Sequence, residues 1–471
     1  MVGFRKGLIL RRLRYRLTYI LLVVRLNVYT LCRFIGIRLF KKLPLSIHTK
    51  YKIKSTVEMV LAMDIIYLKY EEGGDKITPR HCNLKSRGER KRVVIDAQPL
   101  QRGTYFRGIG RYSLSLIKSL CVRNPNIDFI LYCTNLGKKG NLDLLAAEIK
   151  TWGLENCDVL LLDIFQDRKF ISIREAQRNL KKKIFEMDPS HILIVSNFEH
   201  PMDALLLEGK FFKNSAIIIH DLIPLHYKSE LLPSRSLVEN YQTRLQTSML
   251  SPIIFTNSLF TLKDYVDKTG RTKNIVNIGG AGFFENRETE LLQWGDRRGI
   301  LCIGADTPHK NIKNLICAYA ILPEHIRHTH PLYLVGIKNQ SLYREVLQKH
   351  QSAMSGIHFF EFLSDADLAQ LYSSVVFVAV PSFIEGLSMP IFESWSCGTP
   401  AVVSKNTVMD EIVGDSESTF DPMSPVDMGV TFAKFLDVEA IWRNSHLLLM
   451  NRRQQYSWNK VASKMDFWLE S

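Results

Sequence analysis

Residues 376–404 read VFVAVPSFIEGLSMPIFESWSCGTPAVVS. The stretch opens on an apolar run, Val376–Val380, of the kind that forms a strand buried on both faces of a parallel sheet. Pro381 and Ser382 stop that strand, and a loop follows. Pro390 suits the first turn of a helix, where its missing N–H leaves no bond unmade. Ile391–Cys397 forms the helix body, Gly398 and Pro400 close it, and Ala401–Val403 is the next strand. The unit is strand, loop, helix, strand, with Glu385 on the loop, Glu393 one turn into the helix, and seven residues between them. Open parallel sheets bind ligands beyond the carboxyl ends of their strands. A helix N-terminus there adds free amides and partial positive charge. A phosphate against Gly386, Leu387, Ser388 and Met389, with hydroxyls bonded to the two glutamates, is the chemistry of a sugar nucleotide. The same residues also read as a solvated loop acid followed by an acid at a helix start, and spacing alone leaves both open.

The chain has 471 residues, enough for two or three domains, and its 46% hydrophobic and 23% charged residues are ordinary for a globular protein. Eight scattered cysteines with no C-x-x-C favour reduced core thiols of a cytoplasmic protein over a disulfide or zinc framework. The net charge of +15 is concentrated, because residues 1–57 hold 14 Lys or Arg and no Asp or Glu. This excludes a uniformly basic nucleic-acid-binding domain, and no nucleic-acid partner is expected. Within the leader the apolar run Leu17–Val24 is too short to span a bilayer, and no small-residue cleavage pattern follows it. A basic, partly amphipathic helix on an anionic membrane fits residues 1–57, with a helix packed on a partner domain as the alternative. Residues 71–91 read as a polar linker.

The expected fold is α/β, two doubly wound domains after a basic helical leader: 1–90 leader and linker, 91–285 first domain, 286–452 second domain, 453–471 closing helix. In the first domain VVIDAQPL is a strand, Gln101–Gly110 a loop with Gly103, Gly108 and Gly110, and Arg111–Cys121 a helix. Strand, glycine loop and helix is the general form of a phosphate-binding turn, with Gly108, Ile109, Gly110 and Arg111 at the ligand; a tight turn explains the glycines equally well. His220 and Asp221 close the strand of AIIIHDLIPLHY, where His220 reads as a donor to a sugar hydroxyl or as a satisfied core histidine. Ser258 is a helix cap for Leu259–Val266. In the second domain Lys310 sits where the loop after Ile300–Ile303 meets a helix, where it reads as a cation for a diphosphate or as an ordinary surface lysine. Trp458, Val461, Met465 and Trp468 lie at helical spacing within one helix from Tyr456 to Glu470.

The segment FIEGLSMPIFESWSCGTPAVVS closely resembles the E-x7-E signature of retaining GT-B glycosyltransferases, the group 1 or family 4 enzymes that include sucrose synthases and many bacterial mannosyltransferases. IDAQPL with RGIGRYSLSL resembles the opening of the mannosyltransferase-like members. The resemblance covers about Arg92–Ser471. It implies two Rossmann-like domains facing a cleft, a closing helix that crosses back to the first domain, and hexosyl transfer from a nucleotide sugar with retention and no essential metal. GDP-mannose as donor and a glycan or lipid-linked acceptor are the expectations it carries. It also implies that Lys310 and the Gly386–Met389 amides hold the departing diphosphate, that Glu385 fixes sugar hydroxyls and Glu393 the ribose, and that His220 touches the donor sugar. The family's Arg after the glycine of the Lys310 loop is absent; Ala305 stands there, and Arg102, Arg107 or Arg111 would supply the charge. Rival readings are a sugar-nucleotide epimerase or phosphorylase on the same fold, a dehydrogenase using the Gly103–Gly110 loop, and a non-enzymatic module bound through the leader. The dehydrogenase lacks a clean G-x-G-x-x-G and leaves Glu385 and Glu393 unexplained.

Overall fold

The computed structural model describes residues 67–69, 90–101, 108–136, 139–166, 170–196, 198, 204–282, 293–304 and 306–471. The leader, most of the linker, Arg102, Gly103, Arg107 and Ala305 lie outside the described residues. Residues 67–233 and 237–471 form one compact unit, and its frame is two parallel sheets.

The first sheet holds β1 (Arg92–Asp96), β2 (Asp128–Thr134), β3 (Cys157–Leu162), β4 (His191–Ile194), β5 (Ser215–Ile219), β6 (Ile253–Thr256) and β7 (Ile275–Asn277), in the order β3-β2-β1-β4-β5-β6-β7. The second holds β8 (Ile300–Ile303), β9 (Leu332–Val335), β10 (Ile357–Phe360), β11 (Phe377–Val380), β12 (Ala401–Ser404) and β13 (Thr419–Phe420), in the order β10-β9-β8-β11-β12-β13. All pairings within these two sheets are parallel. Central strands such as β5 and β11 are buried along their whole length, as continuous apolar runs covered by helices on both faces must be. The two doubly wound domains expected from the sequence are present, and each sheet reverses its strand order once, between β1 and β4 and between β8 and β11. Ligand crevices of such sheets open at those points.

The helices that frame the crevices are α1 (Gly108–Arg123), α2 (Leu259–Thr269), α3 (Ile312–Ile321), α4 (Asp365–Ser374) and α5 (Met389–Ser396). Ser258 caps α2 by accepting from the Thr261 amide. Two expectations are corrected here. Gly108, Ile109 and Gly110 are not loop residues but the first turn of α1; nothing stands within 4 Å of where a Gly108 Cβ would be, so no packing demands a glycine there. The closing helix is two, α6 (Trp458–Ser463) and α7 (Asp466–Glu470). The break at Lys464 and Met465 allows both indoles to reach first-domain carbonyls, Trp458 to Gly282 at 2.7 Å and Trp468 to Asn214 at 3.3 Å. Arg123 of α1 bonds Asn459 and Asp466, each at 2.6 Å, so the end of the chain is fastened to the first domain. The six described cysteines are free thiols, five of them buried. Among the described residues no helix is long and apolar enough to cross a membrane.

Candidate active site

The loops after β8 and β11 meet at the second sheet's reversal point. Pro308–Lys310 is a single 3-10 turn, and Asn311 leaves it in the left-handed region (φ 56°), which asparagine tolerates better than most residues. The Asn311 amide group donates to the carbonyls of Pro381 at 2.9 Å and Pro422 at 2.8 Å, tying three loops together. That fixes Lys310, whose Nζ donates to Glu385 Oε1 at 2.7 Å. Ser382 Oγ donates to the same oxygen at 2.6 Å. Glu385 is 7% exposed. Burial is the largest influence on its carboxyl and raises it, but Lys310, Ser382 and His309 together hold it below the usual range, so it is ionised. Two of the three Lys310 donors and the second Glu385 oxygen remain for a ligand.

Beyond Glu385 the backbone turns sharply. Ser388 has φ 69°, a costly conformation for a residue with a Cβ, and its buried Oγ has no partner. The amides of Gly386, Leu387 and Ser388 find no acceptor among the described residues. They lie at the N-terminus of α5, where an anion is favoured. Thr307 Oγ1 and His309 Nδ1 in the Lys310 loop are also buried without partners. Burial, the main cause, pushes the His309 imidazole down to about 4, so it is neutral at pH 7.

Glu393 lies inside α5 and is 4% exposed. Tyr372 of α4 donates to its Oε2 at 2.7 Å, and Arg111 of α1 stands 3.6 Å from its Oε1. Burial raises its carboxyl, and Arg111 and Tyr372 offset only part of the rise. Arg111 also pairs with Asp365. It therefore bridges the domains at Glu393 and Asp365.

The opposite face comes from the first domain. A Cβ on Gly386 would lie 2.1 Å from the His220 carbonyl oxygen, so only glycine permits this approach. The Gly386 carbonyl accepts from Ser258 Oγ and, at 3.2 Å, from Thr261 Oγ1, and Thr261 Oγ1 also lies 3.2 Å from the His220 carbonyl. The His220 ring packs edge-on to Tyr112 at 5.1 Å, and its Nε2 lies 2.7 Å from the Val195 carbonyl. A carbonyl only accepts, so Nε2 carries the proton. Burial pushes the imidazole down to about 4, which leaves Nδ1 an acceptor at neutral pH. His220 Nδ1 is thus an acceptor, able to receive a hydrogen bond from a hydroxyl, where the sequence suggested that the ring donates one. Lys310 pairs with Glu385, and the next residue, Gly386, packs against the His220 carbonyl, while Glu393 is turned toward Arg111 and Tyr372 of α4. The orphaned groups of Thr307 and His309 are missed by sequence patterns, since nothing in their spacing signals a buried unpaired atom. Among the described residues no three His, Cys, Asp or Glu side chains gather as a metal site requires.

Residues 285–464 match the family model of glycosyl transferases group 1. A serotype-specific mannosyltransferase of Escherichia coli, WbdA, is 23% identical over 393 residues, 79% of this chain and 47% of the relative. The O-antigen chain mannosyltransferase B of Escherichia coli is 34% identical over 166 residues, 35% of this chain and 39% of the relative. The chain thus spans less than half the length of these curated relatives. HepE of Anabaena, solved with UDP and glucose, superposes with a TM-score of 0.59 at 15% identity, covering 81% of this chain and 99% of that one. The sucrose-phosphate synthase of Thermosynechococcus elongatus superposes at 0.58 with 14% identity, covering 81% and 98%. These likenesses show a GT-B fold.

Proposed function

Because residues 285–464 belong to the glycosyl transferases group 1, we propose that this chain is a glycosyltransferase that moves a hexose from a nucleotide sugar to a glycan or lipid-linked acceptor. GDP-mannose is the proposed donor, in keeping with the names of the curated mannosyltransferase relatives. The observation that carries the reading is the Lys310–Glu385 pair at the second sheet's reversal point, facing His220. Lys310 and the free amides before α5 take the diphosphate, stabilising the charge that grows as the C1–O bond to phosphate breaks. The open oxygen of Glu385 and Nδ1 of His220 accept from hydroxyls of the sugar. The acceptor oxygen forms the new bond to C1, and its proton passes to the departing phosphate oxygen. Retention of configuration and metal-free transfer belong to the proposal. Glu393 receives ribose hydroxyls beside Tyr372, with Arg111 yielding part of its hold. Residues 1–57 are proposed to hold the enzyme on the cytoplasmic face of an anionic membrane.

The test is equilibrium binding of GDP-mannose, UDP-glucose, GDP and UDP to the full chain, followed by turnover with the donor that binds. Binding of a nucleotide sugar that Lys310→Ala weakens supports the reading. A chain that binds none of the four, or binds equally well without Lys310, contradicts it.

A further inference from the structure

Asp221 follows β5 directly and stands on the first-domain side of the crevice. A Cβ on Gly386 would meet the Asp221 Cβ at 2.9 Å, so this side chain starts against the residue that follows Glu385. Its Oδ1 accepts from the Ile223 amide at 3.0 Å, which fixes the rotamer. Its other oxygen has no partner among the described residues. The charged groups acting on it are Glu385 and Lys310 from the second domain and Asp264 from α2. Asp264 is itself occupied by His226, 3.0 Å from both oxygens. Tyr241, whose buried hydroxyl lacks a partner, feels both Asp221 and Asp264.

A carboxylate oxygen can only accept, so what Asp221 lacks is a donor. A phosphate cannot supply one, and like charge repels it. Lys310 gives one hydrogen to Glu385, and its other two are those assigned to the diphosphate. A neutral hydroxyl entering between the two loops meets the requirement. We propose that Asp221 is a donor-binding residue whose free oxygen accepts from a hydroxyl of the transferred hexose, so that the sugar is gripped by one carboxylate from each domain. The inference rests on the proposed function and deepens it: the hexose, more than the nucleotide, is what draws the two faces together. Discrimination between a nucleotide sugar and the bare nucleoside diphosphate then resides at Asp221.

The test is Asp221→Asn in the full chain, since the amide oxygen still accepts from Ile223 and only the charged acceptor is lost. Affinity for GDP-mannose, or for UDP-glucose if that is the donor bound, is expected to fall about tenfold to a hundredfold, the worth of a charged hydrogen bond. Affinity for the matching GDP or UDP stays at the wild-type value and reports an intact fold. Burial, with Glu385 and Asp264 adding to it against Ile223 and Lys310, pushes the Asp221 carboxyl up to about 6. The wild-type kcat/KM should therefore fall as pH drops through 6, and the variant should lose that limb. A variant that keeps the wild-type preference for sugar donor over diphosphate overturns the Asp221 assignment alone. A wild type that binds no nucleotide sugar overturns the functional reading and this inference with it.

Discussion

At the carboxyl ends of β8 and β11 the side chains are charged and paired with one another, Lys310 with Glu385 at 2.7 Å. Across the crevice, at the ends of β4 and β5, the first domain offers a neutral imidazole tied to Val195 and a half-open aspartate. Both faces stand on sheets whose order reverses once, so topology explains where each crevice opens but not what it holds. The difference lies in which groups the loops leave uncommitted. The second domain has a cation, unbonded amides and an ionised acid, as an anionic leaving group needs. The first domain offers two acceptors there, His220 Nδ1 and the open Asp221 oxygen, as a ring of hydroxyls needs.

The largest effect expected of this contrast is on turnover. Lys310→Ala should lower kcat about a hundredfold or more, the scale of losing one preorganised stabiliser of developing charge. His220→Gln, which removes an acceptor of sugar hydroxyls, should cost about tenfold at most. Equal losses in steady-state assays would break the contrast. Gly386→Ala comes next: its Cβ would press on the His220 carbonyl 2.1 Å away. A stability loss of about 1–3 kcal/mol in urea unfolding is expected, together with slower turnover.

Arg111→Ala sharpens the account of Glu393. Burial already raises that carboxyl, and losing Arg111 leaves only Tyr372 to oppose the rise. Donor affinity of the variant should be weaker at pH 5.5 than at pH 8, because a protonated Glu393 accepts poorly; a flat pH profile would remove Arg111 from this role. His220 and His309, both held near 4 by burial, make a smaller and opposite test of stability. Their folded values lie below the unfolded 6.5, so their contribution is whole above pH 6.5 and is lost as pH falls toward 4. Melting temperatures should fall across that window, and His220→Gln should flatten part of the fall. Smallest of all, removal of residues 1–57 should leave the melting temperature unchanged while abolishing sedimentation with phosphatidylglycerol vesicles. Continued sedimentation would place the membrane contact elsewhere.

The strand–loop–helix–strand unit at 376–404 was legible because its signals are local: an apolar run, a proline at a helix start, a glycine at its end. The Ser258 cap and the position of Lys310 between loop and helix were legible for the same reason. What the chain conceals is set by contacts distant in sequence. Arg111 finds Glu393 from the far end of the sequence, and no spacing rule reports that. The proton on His220 is placed by Val195, which follows a different strand, β4. Gln101–Gly110 looked like a loop because three glycines fall in it, yet the helix starts early enough to take in two of them. The closing segment is two helices, and its two indoles bond carbonyls far apart in the sequence, Gly282 and Asn214, which no helical spacing reports.

A double-mutant cycle on Lys310 and Glu385, read by nucleotide-sugar affinity, tests the shared grip most directly. Lys310→Ala, Glu385→Gln and the double variant should be strongly non-additive, the double losing little more than the worse single, because one ligand bridges a coupled pair. Additive losses, or single variants that bind the donor as the wild type does, would contradict a joint hold on sugar and diphosphate.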